Sequence, residues 1–317
     1  MSYEYIAQQI IDTDYILILT GGGFSQAAGL DYYDEEYFKD IYPQLYSVGF
    51  RTLDDIMNYN QEYCPDKQTK WIEELKWGYI ATHAMITNYN YTNNQNTSEV
   101  YQYLKKIVEF KPKDRLFLTT TNIDNFHGIN GFDSDQVYKI YGDYINLQCS
   151  GPCRRDAVFE AKEYYQNILK RLDKSTLKCA SRDIPKCPHC HAHMIVNIKG
   201  AGSTFIQDIN NQRQQYMTFL RKAMNSRFII LELGLDSTNK MIACQFKYPL
   251  EQILFTNEYA LLIRINIDID CETDNELILH NQKQYISIID TQYGNIRNVI
   301  DGVYMQYLCK VYDKALK

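Results

Sequence analysis

Five short apolar runs punctuate this chain. They are "YILILT" (15–20), "RLFLTTT" (115–121), "RFIILELG" (227–234), "ALLIRINID" (260–268) and "YISIID" (285–290), each ending near polar or glycine clusters. Continuous apolar runs suit strands buried on both faces, so together with the helical stretches between them they predict an α/β fold built on a parallel sheet, with the fifth run at its edge. Residues 51–88, including "KWIEELKWGYIATHAMITN", carry apolar positions at helical spacing and predict an insertion that covers the crevice. "NYNYTNNQNTS" (88–98) is a polar linker before a further helix, "EVYQYLKKIVEF", and a final helix, "IRNVIDGVYMQYLCKVY", is expected to pack on the sheet. The rhythm breaks between about 147 and 200, which reads as a small module inserted into the larger domain.

Ligands in open parallel sheets bind beyond the carboxyl ends of the strands. Three strand ends carry the polar sequences suited to that role: "LTGGGFSQAAGL" (19–30), "TTNIDNFHG" (120–128) and "LGLDSTN" (233–239). A glycine turn leading into a helix start can hold an anion, because backbone N–H groups point outward there, and a nucleotide phosphate is the first ligand to consider. The spacing is neither GxGxxG nor GxxxxGK[ST], and a tight strand-to-helix turn explains the loop equally well by itself.

Lys plus Arg number 33 against 39 Asp plus Glu, a net charge of −6, and no long basic block is present, which argues against a nucleic-acid surface. The N-terminal residues lack a charged start with an apolar core, Ser2 stands where myristoylation would need glycine, and no apolar run approaches membrane-spanning length. The expected location is cytoplasmic, with the nucleus also open, and no membrane partner is expected. The 28 tyrosines carry no functional signal of their own.

Nine cysteines in such a chain argue against a disulfide framework. Cys149 and Cys153 form CxxxC, and Cys187 and Cys190 form CxxC, with 33 residues between the pairs. Four thiolates at this spacing suit a tetrahedral, structural Zn2+ that closes a module too small to fold on its own core. Buried or free cysteines are the alternative. His189, His191 and His193 crowd the second pair and could replace a ligand, though surface histidines are the simpler reading. Cys64, Cys179, Cys244, Cys271 and Cys309 are expected to be ordinary core or surface thiols.

The glycine loop, "TTNID", a Tyr-Gly pair, a four-cysteine module, "ELG" and "IN" follow one another in the order seen in the sirtuins, which this chain resembles from Ile16 to about Val303. Gly21, Gly22, Gly23, Ser25, Gly29 and Leu30 match the family's GAGxSxxxGI, with Gly22 in place of Ala, and "TTNIDNFH" resembles TQNIDxLH. Two departures separate the chain from deacylating sirtuins: "DYYD" (31–34) stands where PDFR is usual, and Tyr141-Gly142 replaces the His-Gly of the catalytic histidine. "WGYIATH" (77–83), "YGDYINLQCSGPC" (141–153), "CPHCHAHMIVNIKGAGSTFIQD" (187–208) and "LELGLDSTN" (231–239) look like the macrodomain-linked sirtuin class, whose members transfer ADP-ribose to protein and commonly carry Gln at the position of Tyr141.

The resemblance implies a Rossmann-like NAD-binding domain (1–146 and 200–317, with 31–98 as its helical insertion) and a zinc-binding module (147–199). It implies NAD+ as co-substrate, held by Gly21, Gly22, Gly23, Ser25, Gly29, Asn122, Asp124, Gly234, Thr238 and Asn266, and structural Zn2+ on Cys149, Cys153, Cys187 and Cys190. Asn122, Asp124 and Tyr141 become the catalytic candidates: Asp124 for the nicotinamide carboxamide, Asn122 for the ribose or an ordered water, Tyr141 for the ribose hydroxyls. From the residues alone, Asn122 and Asp124 equally well cap the helix that follows. A phenol is a poor base at neutral pH, which hurts deacylation more than direct transfer. His127 is expected to be a core histidine. The implied activity is protein mono-ADP-ribosylation, with a protein acceptor, a lipoylated carrier being one candidate, and a macrodomain hydrolase as partners. A catalytically silent NAD+ or ADP-ribose binding module and an NAD+-dependent lysine deacylase are the alternatives.

Overall fold

The computed structural model describes residues 3–57, 72–89, 95–199, 212–236, 242–266, 273, 275–281, 283–289, 300–306 and 308–310. The five apolar runs become five strands of one parallel sheet: β1 (Tyr15–Thr20), β2 (Leu116–Thr120), β7 (Phe228–Leu233), β8 (Ala260–Asn266) and β9 (Tyr285–Ile289). A sixth, β3 (Val137–Lys139), pairs with β2 and gives the order β3-β2-β1-β7-β8-β9. Its three residues are too few to carry a periodic signal, which is why the sequence pattern missed it. Every residue of β1, β7 and β8 is buried, as continuous apolar runs require of central strands.

The break in rhythm is a second, antiparallel sheet of β5 (Val158–Glu160), β4 (Gly142–Cys149) and β6 (Met194–Ile198). It begins at Gly142, a few residues before the expected 147, because β4 follows Tyr141 directly. The helix Lys162–Lys170 packs against the helix Glu73–Ala84 of the insertion. The stretch after that helix closes tightly on Gly78, where an added Cβ would lie 1.9 Å from the Leu177 carbonyl oxygen. Tyr165 Oη donates to the Tyr144 carbonyl at 2.9 Å, and the Cys179 N–H donates to the Glu74 carbonyl at 3.0 Å. Helical insertion and cysteine module are therefore packed together.

The end of the chain contributes Ile300 and Val303 to the core, and Tyr304 packs on Tyr103 of the helix Gln95–Glu109, with ring centroids 5.3 Å apart. Among the described residues, no helix is long and apolar enough to cross a membrane.

Candidate functional site

The ends of β1, β2, β7 and β8 meet at one place. Gly21 N–H donates to the Leu233 carbonyl at 3.0 Å, Gly23 N–H to the Gly234 carbonyl at 2.9 Å, and Asn266 Nδ2 to the Leu235 carbonyl at 2.7 Å. The glycines are needed for this approach. A Cβ on Gly21 would sit 2.5 Å from the Gly234 oxygen, and one on Gly234, whose φ is +61°, would sit 2.4 Å from the Phe24 nitrogen. Gly22 faces open space, consistent with the alanine usual there in the family it resembles. Because Gly21 and Gly23 spend their amides on the end of β7, only the Gly22 N–H of this trio lacks a partner among the described residues.

The helix Gly22–Ala27 places Ser25 inward, with none of its surface exposed. Ser25 Oγ donates to Asp124 Oδ2 at 2.7 Å and accepts from Asn122 Nδ2 at 2.8 Å. Its one hydrogen is thus committed to Asp124 rather than to a phosphate, and the Tyr101 hydroxyl 3.3 Å away acts as donor toward it. Asn122 Nδ2 also donates to the Gly21 carbonyl at 3.0 Å. A carbonyl can only accept, so this bond fixes the amide orientation and leaves Asn122 Oδ1 available to accept a ligand's hydrogen.

Asp124 is 2% exposed. Its Oδ2 also accepts from Tyr32 Oη at 3.3 Å, and its Oδ1 accepts from the Phe126 N–H at 3.0 Å. Burial raises its pKa above the ordinary carboxylate value, opposed by these donors and, through space, by Lys139. Lys139 itself bonds Asn125 Oδ1 and Asp143 Oδ2, both at 2.7 Å, and does not contact Asp124. Tyr32, on Asp124, and Tyr101, on Ser25, are donors that sequence reasoning missed, since two tyrosines among 28 give no signal until the fold sets them beside the cluster.

Gly29 has φ +93°, and the Leu30 N–H returns to the Ser25 carbonyl at 3.0 Å, so this glycine ends the short helix and turns segment 31–34 toward Asp124. Tyr33 Oη donates to Asp236 Oδ2 at 3.0 Å, linking that segment to the residues after β7. Tyr141 is nearly buried, its Oη donating to Gln245 Oε1 at 3.4 Å, and burial pushes its pKa up to about 12. It is a neutral hydroxyl at physiological pH, able to donate or accept but not to act as a base. His127 packs among Phe24, Tyr101 and Phe132 with Nε2 3.3 Å from Thr20 Oγ1; burial lowers its pKa to about 3, the core histidine expected. Thr238 lies outside the described residues.

The four sulfurs of Cys149, Cys153, Cys187 and Cys190 lie within 4.8 Å of one another, with Cys149–Cys190 at 3.5 Å and Cys153–Cys187 at 3.8 Å. A tetrahedron of Zn–S bonds near 2.3 Å has S···S edges of about 3.8 Å, so the sulfur spacing fits zinc. His189 packs instead on the Phe159 ring, with centroids 5.5 Å apart. With four thiolates no coordination position would remain for a substrate, so a metal held here would be structural.

No family model matches the chain. It is 28% identical over 272 residues to a protein from Fusarium oxysporum f. sp. cubense named a probable bifunctional ADP-ribose hydrolase/ADP-ribosyltransferase, covering 84% of this chain and 42% of that protein. It is also 28% identical over 268 residues to a Staphylococcus aureus protein ADP-ribosyltransferase, covering 83% of this chain and 77% of that one. The chain therefore spans about two fifths of the fungal relative and about three quarters of the bacterial one. Among solved structures, a Sir2 homologue variant in complex with ADP-ribose matches at TM-score 0.60 and 16% identity, covering 98% of both chains. A Sir2 homologue in complex with NAD matches at 0.57 and 15%, covering 95% of this chain and 93% of the other. The fold is that of the sirtuins, as the order of motifs implied.

Proposed function

We propose that this chain is an NAD+-dependent protein ADP-ribosyltransferase of the sirtuin kind. The observation that carries the reading is the buried Asn122–Ser25–Asp124 cluster at the strand ends, seated against the glycine loop. The names of the fungal and bacterial relatives supply the reaction type.

Losing nicotinamide from NAD+ develops positive charge at the ribosyl carbon, and the chain's residues can do three things for that step. Asp124, a carboxylate with acceptor capacity left on Oδ1, takes a hydrogen bond from the carboxamide and orients the leaving group. Asn122 Oδ1 accepts from a ribose hydroxyl or a water on the reacting side. Tyr141, fixed in its protonated form, hydrogen-bonds the ribose without acting as base, which favours direct transfer to an acceptor over deacylation. Gly22 offers the amide for the pyrophosphate, while Gly21, Gly23, Gly29, Gly234 and Asn266 shape the loops around it. The cysteine module holds Zn2+ and, with the helical insertion, forms a lobe beside the NAD+ domain.

The acceptor is a protein, and a lipoylated carrier, with a macrodomain hydrolase reversing the modification, is the arrangement suggested by the class it resembles. The test is intact-protein mass after incubation with NAD+ and candidate carriers, with and without lipoylation. A gain of one ADP-ribose on a carrier, abolished in Asn122→Ala with the fold intact by circular dichroism, is the expected result. NAD+ binding without any transfer or nicotinamide release would favour a silent binding module.

A further inference from the structure

The segment 31–34, where the chain departs most from deacylating sirtuins, places a phenol directly on the buried carboxylate: Tyr32, 7% exposed, with its Oη 3.3 Å from Asp124 Oδ2. We infer that Tyr32 is a positioning residue that, with Ser25, holds Asp124 Oδ2 and so keeps the carboxylate ionised and its Oδ1 edge turned to the nicotinamide carboxamide. The inference rests on the reading of Asp124 given above.

Three observations support it. The two hydroxyl donors converge on the same oxygen from different elements, Ser25 from the helix after β1 and Tyr32 from the segment beyond Gly29, so the carboxylate cannot rotate without breaking both. Among the described residues Oδ1 accepts only from the Phe126 N–H, and an ionised carboxylate oxygen can accept more than one hydrogen bond. The segment brings no cation to Asp124, since Asp34 stands where the family's arginine would be and instead caps the helix Glu35–Ile41 by accepting from the Tyr37 N–H. Apart from Lys139 acting through space, ionisation is therefore supported by neutral donors.

The groups bearing on Asp124 are Ser25 from its helix, Tyr32 from the segment, Tyr101 from the helix Gln95–Glu109, and Lys139 of β3 acting through space. His127, on the same loop, is neutral in the working range. Tyr32 itself stays protonated, because burial and the Asp124 charge raise its pKa well above the usual phenol value. It can only donate to Asp124, and removing its hydroxyl leaves the carboxylate harder to ionise.

Tyr32→Phe keeps the ring and removes the donor, and Tyr42→Phe, whose hydroxyl meets His83 Nδ1 at 2.9 Å in the helical insertion, is the control for losing a buried phenol hydroxyl elsewhere. The Asp124 carboxyl is followed by 13C NMR in the free protein, and nicotinamide release is followed against pH and NAD+ concentration. In Tyr32→Phe the Asp124 titration and the acid limb of nicotinamide release should both move up by about one pH unit, with a several-fold higher KM for NAD+. Tyr42→Phe should move neither. If Tyr32→Phe only lowers Tm, leaving the Asp124 titration and KM where they were, Tyr32 is structural and the inference is overturned. If the titration moves but Asp124→Asn still releases nicotinamide normally, the assignment of Asp124 to the carboxamide fails instead, and the two failures are told apart.

Discussion

Two buried carboxylate clusters on this sheet, both built at or beside strand ends, resolve the same electrostatic problem in opposite ways. On β7 and β8, Glu232 and Arg264 face each other in register, and Arg264 Nε reaches Glu232 Oε1 at 2.7 Å and Nη1 reaches Glu251 Oε1 at 3.0 Å, with the guanidinium fully buried. Two carboxylates share one delocalised cation whose own pKa is raised, and each guanidinium nitrogen has an acceptor. Around Asp124 the same burial has no cation in contact; hydroxyls and one amide do the holding. The first cluster is closed, and a ligand would have nothing to add. The second is left a partner short, with Asn122 Oδ1 and one edge of Asp124 able to receive hydrogen bonds. A buried carboxylate held by neutral donors, with no cation in contact, is a candidate binding position.

The comparison can be broken most severely at Arg264. Arg264→Leu would leave Glu232 and Glu251 buried without a counter-ion and should cost about 3–5 kcal/mol, read as a large drop in the urea midpoint. An unchanged midpoint would mean that the triad is not what holds these carboxylates. Asp124→Asn should do the reverse: nicotinamide release falls about 100-fold, near 2.7 kcal/mol in the barrier, while Tm stays level or rises because a buried charge is gone. Should Tm collapse along with activity, the two clusters would be alike after all.

Away from both carboxylates, chelation of the cysteine module should lower Tm by at least about 5 °C, with about one zinc per chain by metal analysis. Absence of zinc from freshly purified protein would refute the assignment. The smallest effect is in pH. Asp124 has a folded pKa raised above its unfolded one, so its contribution to stability is greatest at low pH and is lost as pH rises from the ordinary carboxylate range through the folded value. Asp124→Asn should flatten that slope in urea titrations across the mildly acidic range, and a slope that survives the substitution belongs to another group.

The legibility of these features differed for physical reasons. Central strands announce themselves because both faces are buried, so β1, β2, β7 and β8 were readable as apolar runs, and β9, at the edge, was readable from its own shorter apolar run. The cysteine spacing was readable because metal geometry constrains few residues tightly. Tyr32, Tyr101 and β3 were not. A donor's value depends on what the fold sets beside it, and a three-residue edge strand borrows its conformation from its neighbour. Even Arg264 and Glu232 hid in plain sight inside apolar runs, because alternate positions of two parallel strands become partners only once the register is known.

The contact at Gly78 bears on how the chain is made. The helix Glu73–Ala84 buries most of its residues, yet the Leu177 carbonyl that closes over Gly78 lies some hundred residues downstream. At synthesis rates of about 5–20 residues per second, that face waits roughly 5–20 s for its cover. The buried face of this helix therefore completes its packing only after the chain has grown through residue 177.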